Sequence, residues 1–248
     1  SNWAIRNLLL FKKNKPLDSL LIKESERLIR SQRFTRSVTS EMKVVSEDSV
    51  DVYIRVLDSW SLVPDVNSST SKSKFDLTEK NFLGLGHEFS NSYTKSLTSK
   101  ENGYSVSYFI PTIKNTYIST GLNYGIDLDR NYSKSMNMER PFFSFFSRWL
   151  AGIGIGQNLT KIVSLDINQV PMIQNSKFNY QDYWAGHAFR IFKGNTEYSR
   201  TTNFVTSARF FNKNYVEIPF INSNSLDIYS SEKLYLISFG ITSRKFTQ

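Results

Sequence analysis

From Tyr117 to Asp129 the chain alternates with a period of two. Ile118, Thr120, Leu122, Tyr124, Ile126 and Leu128 share one face, opposite Tyr117, Ser119, Gly121, Asn123, Gly125, Asp127 and Asp129. A strand puts successive side chains on opposite faces, so this pattern predicts a β-strand with one apolar and one polar or small face. The pattern recurs in Arg148 to Asn158, where Trp149, Ala151, Ile153 and Ile155 oppose Gly152, Gly154 and Gly156. In Lys233 to Thr242 it sets Tyr235, Ile237, Phe239 and Ile241 against Leu236, Ser238, Gly240 and Thr242. A soluble sandwich alternates too, but glycine is unwelcome on its wet face; a membrane barrel turns apolar side chains to lipid and small or polar ones to a wet lumen.

Read through to the end, the alternation predicts strands over 60–68, 73–83, 86–97, 103–111, 116–129, 134–141, 148–157, 181–193, 199–211 and 232–246. Short connections near Leu83 to Gly86, Pro111 to Asn115, Pro141 to Ser147 and Lys193 to Tyr198 alternate with longer ones. The last two of those longer ones, 157–180 and 212–232, are the longest, as in outer-membrane barrels with short periplasmic turns and long outer loops. Asn81, Phe82, Leu83, Gly84 and Gly86 then read as a periplasmic hairpin, the glycines permitting the tight reversal. A phosphate loop would need a helix after the glycines with Lys and Ser or Thr in place, and His87-Glu88-Phe89 opens another strand instead.

Before residue 58 the pattern differs. Trp3, Ile5, Leu8, Leu9 and Leu10 lie close to helical spacing until Lys12 to Pro16 breaks it. Asp18 is placed to cap a second helix with Leu20, Leu21, Leu28 and Ile29 inward and the charges from Lys23 to Arg27 in water. Two strands follow, Ser37 to Val45 and Ser49 to Leu57, joined by a turn at Glu47-Asp48. A small α/β unit over 1–57 and a β region over 58–248 are the expected domains.

Composition narrows the chemistry. The 248 residues carry 31 Lys and Arg against 22 Asp and Glu, a net charge of +9 and a pI near 9.5. The excess suits nucleic acid, anionic lipid or acidic partners. Zero Cys removes thiolate catalysis and disulfides, and two His leave little for metal binding. Aromatics reach 15% while mean hydropathy is −0.37, a pairing that suits strands with one apolar and one wet face. There is no Gly-x-Ser-x-Gly elbow and no HExxH, and no cofactor or metal is expected.

Several stretches, in order, resemble the BamA-like and TamA-like outer-membrane assembly and translocation factors, built from periplasmic POTRA domains and a surface-antigen barrel. NLLLFKKNKPLD and LIKESERLIRSQRFTRSV look like the two helices of a final POTRA domain, and VDVYIRVLDSWSLVPDV like its last strand entering the barrel. FDLTEKNFLGLGHEF and MERPFFSFFSRWLAGIGI look like early barrel strands and turns, the latter with a turn motif at Arg140, Pro141, Phe142 and Trp149. The resemblance implies a mostly β fold: most of one POTRA domain, lacking its first strand, then roughly ten strands of a sixteen-stranded transmembrane antiparallel β-barrel. The Val-Arg-Gly-Phe type of loop motif known from the second half of such barrels has no counterpart here.

What the resemblance implies for function is assembly or translocation in the bacterial outer membrane without chemical catalysis. An exposed strand edge offers unpaired N–H and C=O groups, and a substrate strand satisfies them. The pairing strand would be the first of the barrel, with Trp60, Leu62, Val63, Pro64 and Val66; a second edge would be Val38, Met42 and Val44 in the periplasmic unit. Partners would be the outer-membrane bilayer, unfolded outer-membrane or secreted proteins and accessory lipoproteins, with no nucleic acid. Two other readings stand beside this one: a passive pore or adhesin barrel, and a soluble β-rich binder of nucleic acid or glycan.

Overall fold

A computed structural model describes residues 2–165, 170–219 and 230–243. Two helices come first, α1 (Asn2–Arg6) and α2 (Ser19–Arg30), then a hairpin of β1 (Thr35–Ser46) and β2 (Ser49–Asp58). Ten strands follow: β3 (Leu62–Ser68), β4 (Lys72–Phe82), β5 (His87–Ser96), β6 (Asn102–Ile110), β7 (Ser119–Ile126), β8 (Tyr132–Arg140), β9 (Trp149–Leu165), β10 (Pro171–Arg190), β11 (Asn203–Glu217) and β12 (Glu232–Thr242). A 3₁₀ turn (Lys114–Thr116) precedes β7, and a short helix α3 (Glu197–Thr201) precedes β11. Each of the ten strands pairs antiparallel with its sequence neighbour, giving one ten-stranded sheet in the order β3 to β12, separate from the β1–β2 pair. The fold is mostly β, 61% strand and 11% helix.

The ten expected strands are present, but the expected loop 157–180 is mostly strand among its described residues and the expected loop 212–232 starts later. β9 continues to Leu165 and β10 begins at Pro171, so most of 157–180 is a paired ribbon, and β11 runs to Glu217 within the expected loop 212–232. The apolar alternation stops at Ile155 and Tyr183. Past it the same face mixes Gln157 and Lys161 with Leu159 and Val163 on β9, and carries Gln181, Asn179, Lys177 and Asn175 before Ile173 on β10, while the backbone ladder continues without a break. Hydrophobic periodicity reports burial in an apolar medium, not pairing. Residues 166–169, 220–229 and 244–248, including the end of the expected strand 232–246, lie outside the described residues.

Registry lines up the two faces across the sheet. One apolar row joins Met138, Ile153, Tyr183, Phe210 and Tyr235; another joins Val66, Phe75, Tyr93, Tyr104, Ile126, Tyr132 and Leu159. The opposite face carries Thr78, Ser90, Ser107, Asn123, Ser135, Gly156 and Tyr180. On that face an added Cβ at Gly152 would lie 2.3 Å from the Trp184 indole nitrogen, and one at Gly156 2.4 Å from the Tyr180 ring. The cross-strand partners of these two glycines lay their rings on the bare backbone, a pairing that protects a weak strand position.

The buried core is small and lies at one end. Leu8, Leu28, Ile29 and Val38 form it, joined by Ile5, Leu9, Leu10, Ile54 and Val56 from the helices and hairpin and by Tyr117 and Phe143 from the sheet's turns. Asp18 caps α2 as expected, accepting from Leu20 N at 3.0 Å. Contrary to the sequence expectation, the charges from Lys23 to Arg27 do not all face water: Glu24 is fully buried and Arg27 grips it with Nε and Nη2, both at 2.8 Å. By contrast the apolar face of the ten-stranded sheet stays open, with Ile153 52%, Ile237 84% and Phe239 77% exposed.

Candidate functional site

Among the described residues the sheet ends in two unpaired edges, β3 and β12. Along β3, Lys80 N donates to Ser61 O and Ser69 N to Lys72 O, both at 2.8 Å, and between them Leu62 faces Glu79 through Ser68 facing Ser73. Antiparallel pairs alternate between bonded and non-bonded. Ser61, Val63, Asp65 and Asn67 therefore spend their backbone groups on β4, while Leu62, Pro64, Val66 and Ser68 turn theirs to the free edge. Pro64 has no N–H, so the outward edge lacks one donor at mid-strand. Trp60 sits in the extended lead-in, 80% exposed. The β12 edge is longer, carries no proline, and has Tyr235, Ile237, Phe239 and Ile241 on one side.

The hairpin motif forms as expected. Leu83, Gly84 and Gly86 have φ of 52°, 72° and 74°, and Gly84 N donates to Asn81 O at 2.8 Å while Gly86 N donates to Asn81 Oδ1 at 2.8 Å. Phe82 packs on Phe89, ring centroids 5.3 Å apart. The second turn motif runs from Arg140, whose Nε donates to Thr116 O at 3.0 Å, through Pro141 and Phe142 to Trp149 at the head of β9. Arg148 is tied inward, its Nη1 donating to Asn203 Oδ1 at 2.9 Å. In the β1–β2 hairpin, Val38 is in the core, whereas Met42 and Val44 stand on the projecting, exposed half. The structure therefore brings the turn motifs together at one rim and leaves the β3 and hairpin edges apart.

Four turns share that rim: 83–86, 111–118, 141–148 and 191–202. The N-terminal helices touch all four. Gly86 packs against Ala4 and Phe34, and a Cβ there would lie 2.9 Å from Ala4 Cβ. Tyr117 Oη donates to Leu9 O at 3.1 Å and stacks on Phe143 at 4.0 Å. Arg27 donates to Phe143 O at 2.6 Å, and Arg200, presented by α3, donates through Nη1 to Asp18 Oδ1 at 3.1 Å. The helices and the segments joining them thus sit across the ends of β4 to β11.

Arg200 beside Asp18 holds that carboxyl below its ordinary value, chiefly through the hydrogen-bonded pair. Burial pushes the Tyr117 hydroxyl up to about 12. Sequence reasoning gave Asp18 only its capping role and missed Arg200, Glu24 and the Tyr117–Phe143 stack. These contacts join positions far apart in the chain, and their nearest signal was the aromatic-rich PFFSFF stretch. Among the described residues there is no cluster of three or more potential metal ligands, and no helix long and apolar enough to cross a membrane.

No family profile and no curated protein matches the chain by sequence. Among solved structures it is similar to the crystal structure of BamA from Haemophilus ducreyi lacking POTRA domains 1–3, at 12% identity and a TM-score of 0.44. The likeness covers 87% of this chain and 54% of that one, so the chain spans about half the length of the structure it matches. The functional reading rests on the faces, edges and rim.

Proposed function

We propose that the chain is part of a transmembrane β-barrel of the bacterial outer membrane, with its POTRA-like helical unit in the periplasm, and that it assists insertion or translocation of other polypeptides by lending them a strand edge. The observation that carries this is the apolar face of the ten-stranded sheet, which no described element covers. In water such a surface would drive association, whereas lipid is its natural solvent. Phe75, Tyr93, Tyr104 and Tyr132 stand in one row, the arrangement of an aromatic girdle.

An unpaired edge in lipid leaves costly backbone groups, and an incoming strand relieves them without covalent chemistry. The β3 edge, missing a donor at Pro64, holds a guest more weakly than an edge with all its donors would, which suits a template that must release its client. The projecting half of the β1–β2 hairpin supplies a second, periplasmic edge at Met42 and Val44, and unfolded outer-membrane proteins and accessory lipoproteins are the partners this reading requires. The helices seated across the rim count against a passive pore.

Cysteine at Val66 in the native polypeptide, paired with single cysteines in an outer-membrane client arrested during assembly, tests the reading. A disulfide at Val66 is expected. If the protein fractionates with the outer membrane, forms no such adduct, and its depletion leaves outer-membrane protein levels unchanged while conductance persists, the pore reading replaces this one.

A further inference from the structure

We propose that the apolar face contains a groove for one phospholipid acyl chain, with Arg140 receiving the phosphate of its headgroup; this rests on the membrane reading above. Registry places Arg140, Ala151, Ala185, Ala208 and Ile237 in a single row across β8 to β12. Three neighbouring alanines make a low floor. The row on one side is uniformly bulky, with Met138, Ile153, Tyr183, Phe210 and Tyr235, and on the other side stand Trp149, His187, Thr206 and Phe239. Tyr183 and Phe210 lie nearly parallel at 6.4 Å and Phe210 meets Tyr235 at 5.0 Å, so one wall is a continuous aromatic bank. The depression has a volume of ≈ 760 Å³, with Ile118 among its lining residues.

Its shape and charge select the occupant. From Arg140 to Ala208 the row crosses three strand spacings, about 14 Å, which accommodates most of an acyl chain. The row has one charge, at its end, and it is a cation. Arg140 is fixed there: Nε donates to Thr116 O at 3.0 Å, Nη1 to Trp149 O, and the guanidinium lies 4.9 Å over the Phe143 ring. Nη2 makes no hydrogen bond among the described residues. Trp149, 69% exposed beside it, marks headgroup depth. An extended peptide segment would need partners for its backbone polar groups that this floor does not offer, while an acyl chain needs none.

The test uses the intact chain, first floated with phosphatidylglycerol vesicles and then released in mild detergent for native mass spectrometry. Wild type is expected to float and to retain one phosphatidylglycerol. Ala185→Phe, which fills the floor, and Arg140→Gln are each expected to float normally and retain about tenfold less lipid; Ala208→Leu, a smaller filling, guards against misfolding in the first variant, with circular dichroism as the check. Flotation with equal retention in all variants overturns the groove alone. Failure of the wild type to float overturns the membrane reading and the groove with it.

Discussion

Asp18 has two jobs that single substitutions can separate. It caps α2 through Leu20 N and pairs with Arg200 across the rim. Asn caps about as well as Asp, whereas loss of a cap costs about 1 kcal/mol. Asp18→Asn should therefore leave α2 intact but loosen its attachment to α3, and Asp18→Ala should weaken both, as read by hydrogen exchange in α2 and at the 191–202 turn. The pair also sets a pH dependence. Because the folded carboxyl lies below its ordinary value, its contribution is complete above that ordinary value and is lost as pH falls through the lower folded one. Docking of the helices should hold at neutral and mildly acidic pH and fail only in strong acid, where limited proteolysis would cut after the hairpin; loosening already at pH 6 would show that other groups control it. Gly86→Ala adds a second residue-scale case. Its φ of 74° and the 2.9 Å approach to Ala4 predict a loss of about 1–3 kcal/mol, measurable as a lower denaturation midpoint together with release of α1.

At the scale of elements, Pro64 is the informative position. Pro64→Val would restore the missing outward N–H and add a β-branched residue, so the β3 edge should become more adhesive. In the proposed cycle this lengthens the life of the β3–client pair, seen as a slower loss of the Val66 disulfide adduct in a chase; an unchanged rate would mean that β3 is not the pairing edge. The elements also show what the sequence made legible. Strands were readable wherever one face was apolar, which is why β7, β12 and the first half of β9 stood out, and why Gly84 and Gly86 located a turn. The outer halves of β9 and β10 were not readable, because apolar residues such as Leu159, Val163, Ile173 and Phe178 are mixed with polar ones on both faces there, so no clean alternation survives and only backbone pairing defines the strands. α3 and the 3₁₀ turn were hidden for another reason: each spans a single turn, too short for periodicity to register. Of the candidate site, the edges followed from strand order, but the rim contacts are long-range pairings that no local pattern encodes.

For the whole molecule, the apolar segments do not occupy the same register rows throughout. On β6 they include Tyr104, Val106 and Tyr108, and on β10 Tyr183, Ala185 and Phe189. Tyr108 is linked through Leu122, Met136 and Ile155 to Gln181, already one step beyond the apolar stretch of β10. The apolar band therefore crosses the sheet diagonally, as it must if the strands of a barrel are tilted to the membrane normal and staggered by a constant shear. A chain with no cysteine allows this to be mapped directly. Single cysteines at Phe75, Tyr124, Ile153 and Ile237 should resist a charged maleimide in membranes, and those at Ser107, Asn123 and Gly154 should react from the wet face. Gln157 and Gln181 mark the step: cysteines there and beyond, at Lys161 and Asn175, should react although they lie on the same face as Ile153. Protection that instead follows register rows, with Tyr108 and Gln181 alike, would mean that the strands stand upright and that the exposed apolar face is covered by protein rather than by lipid.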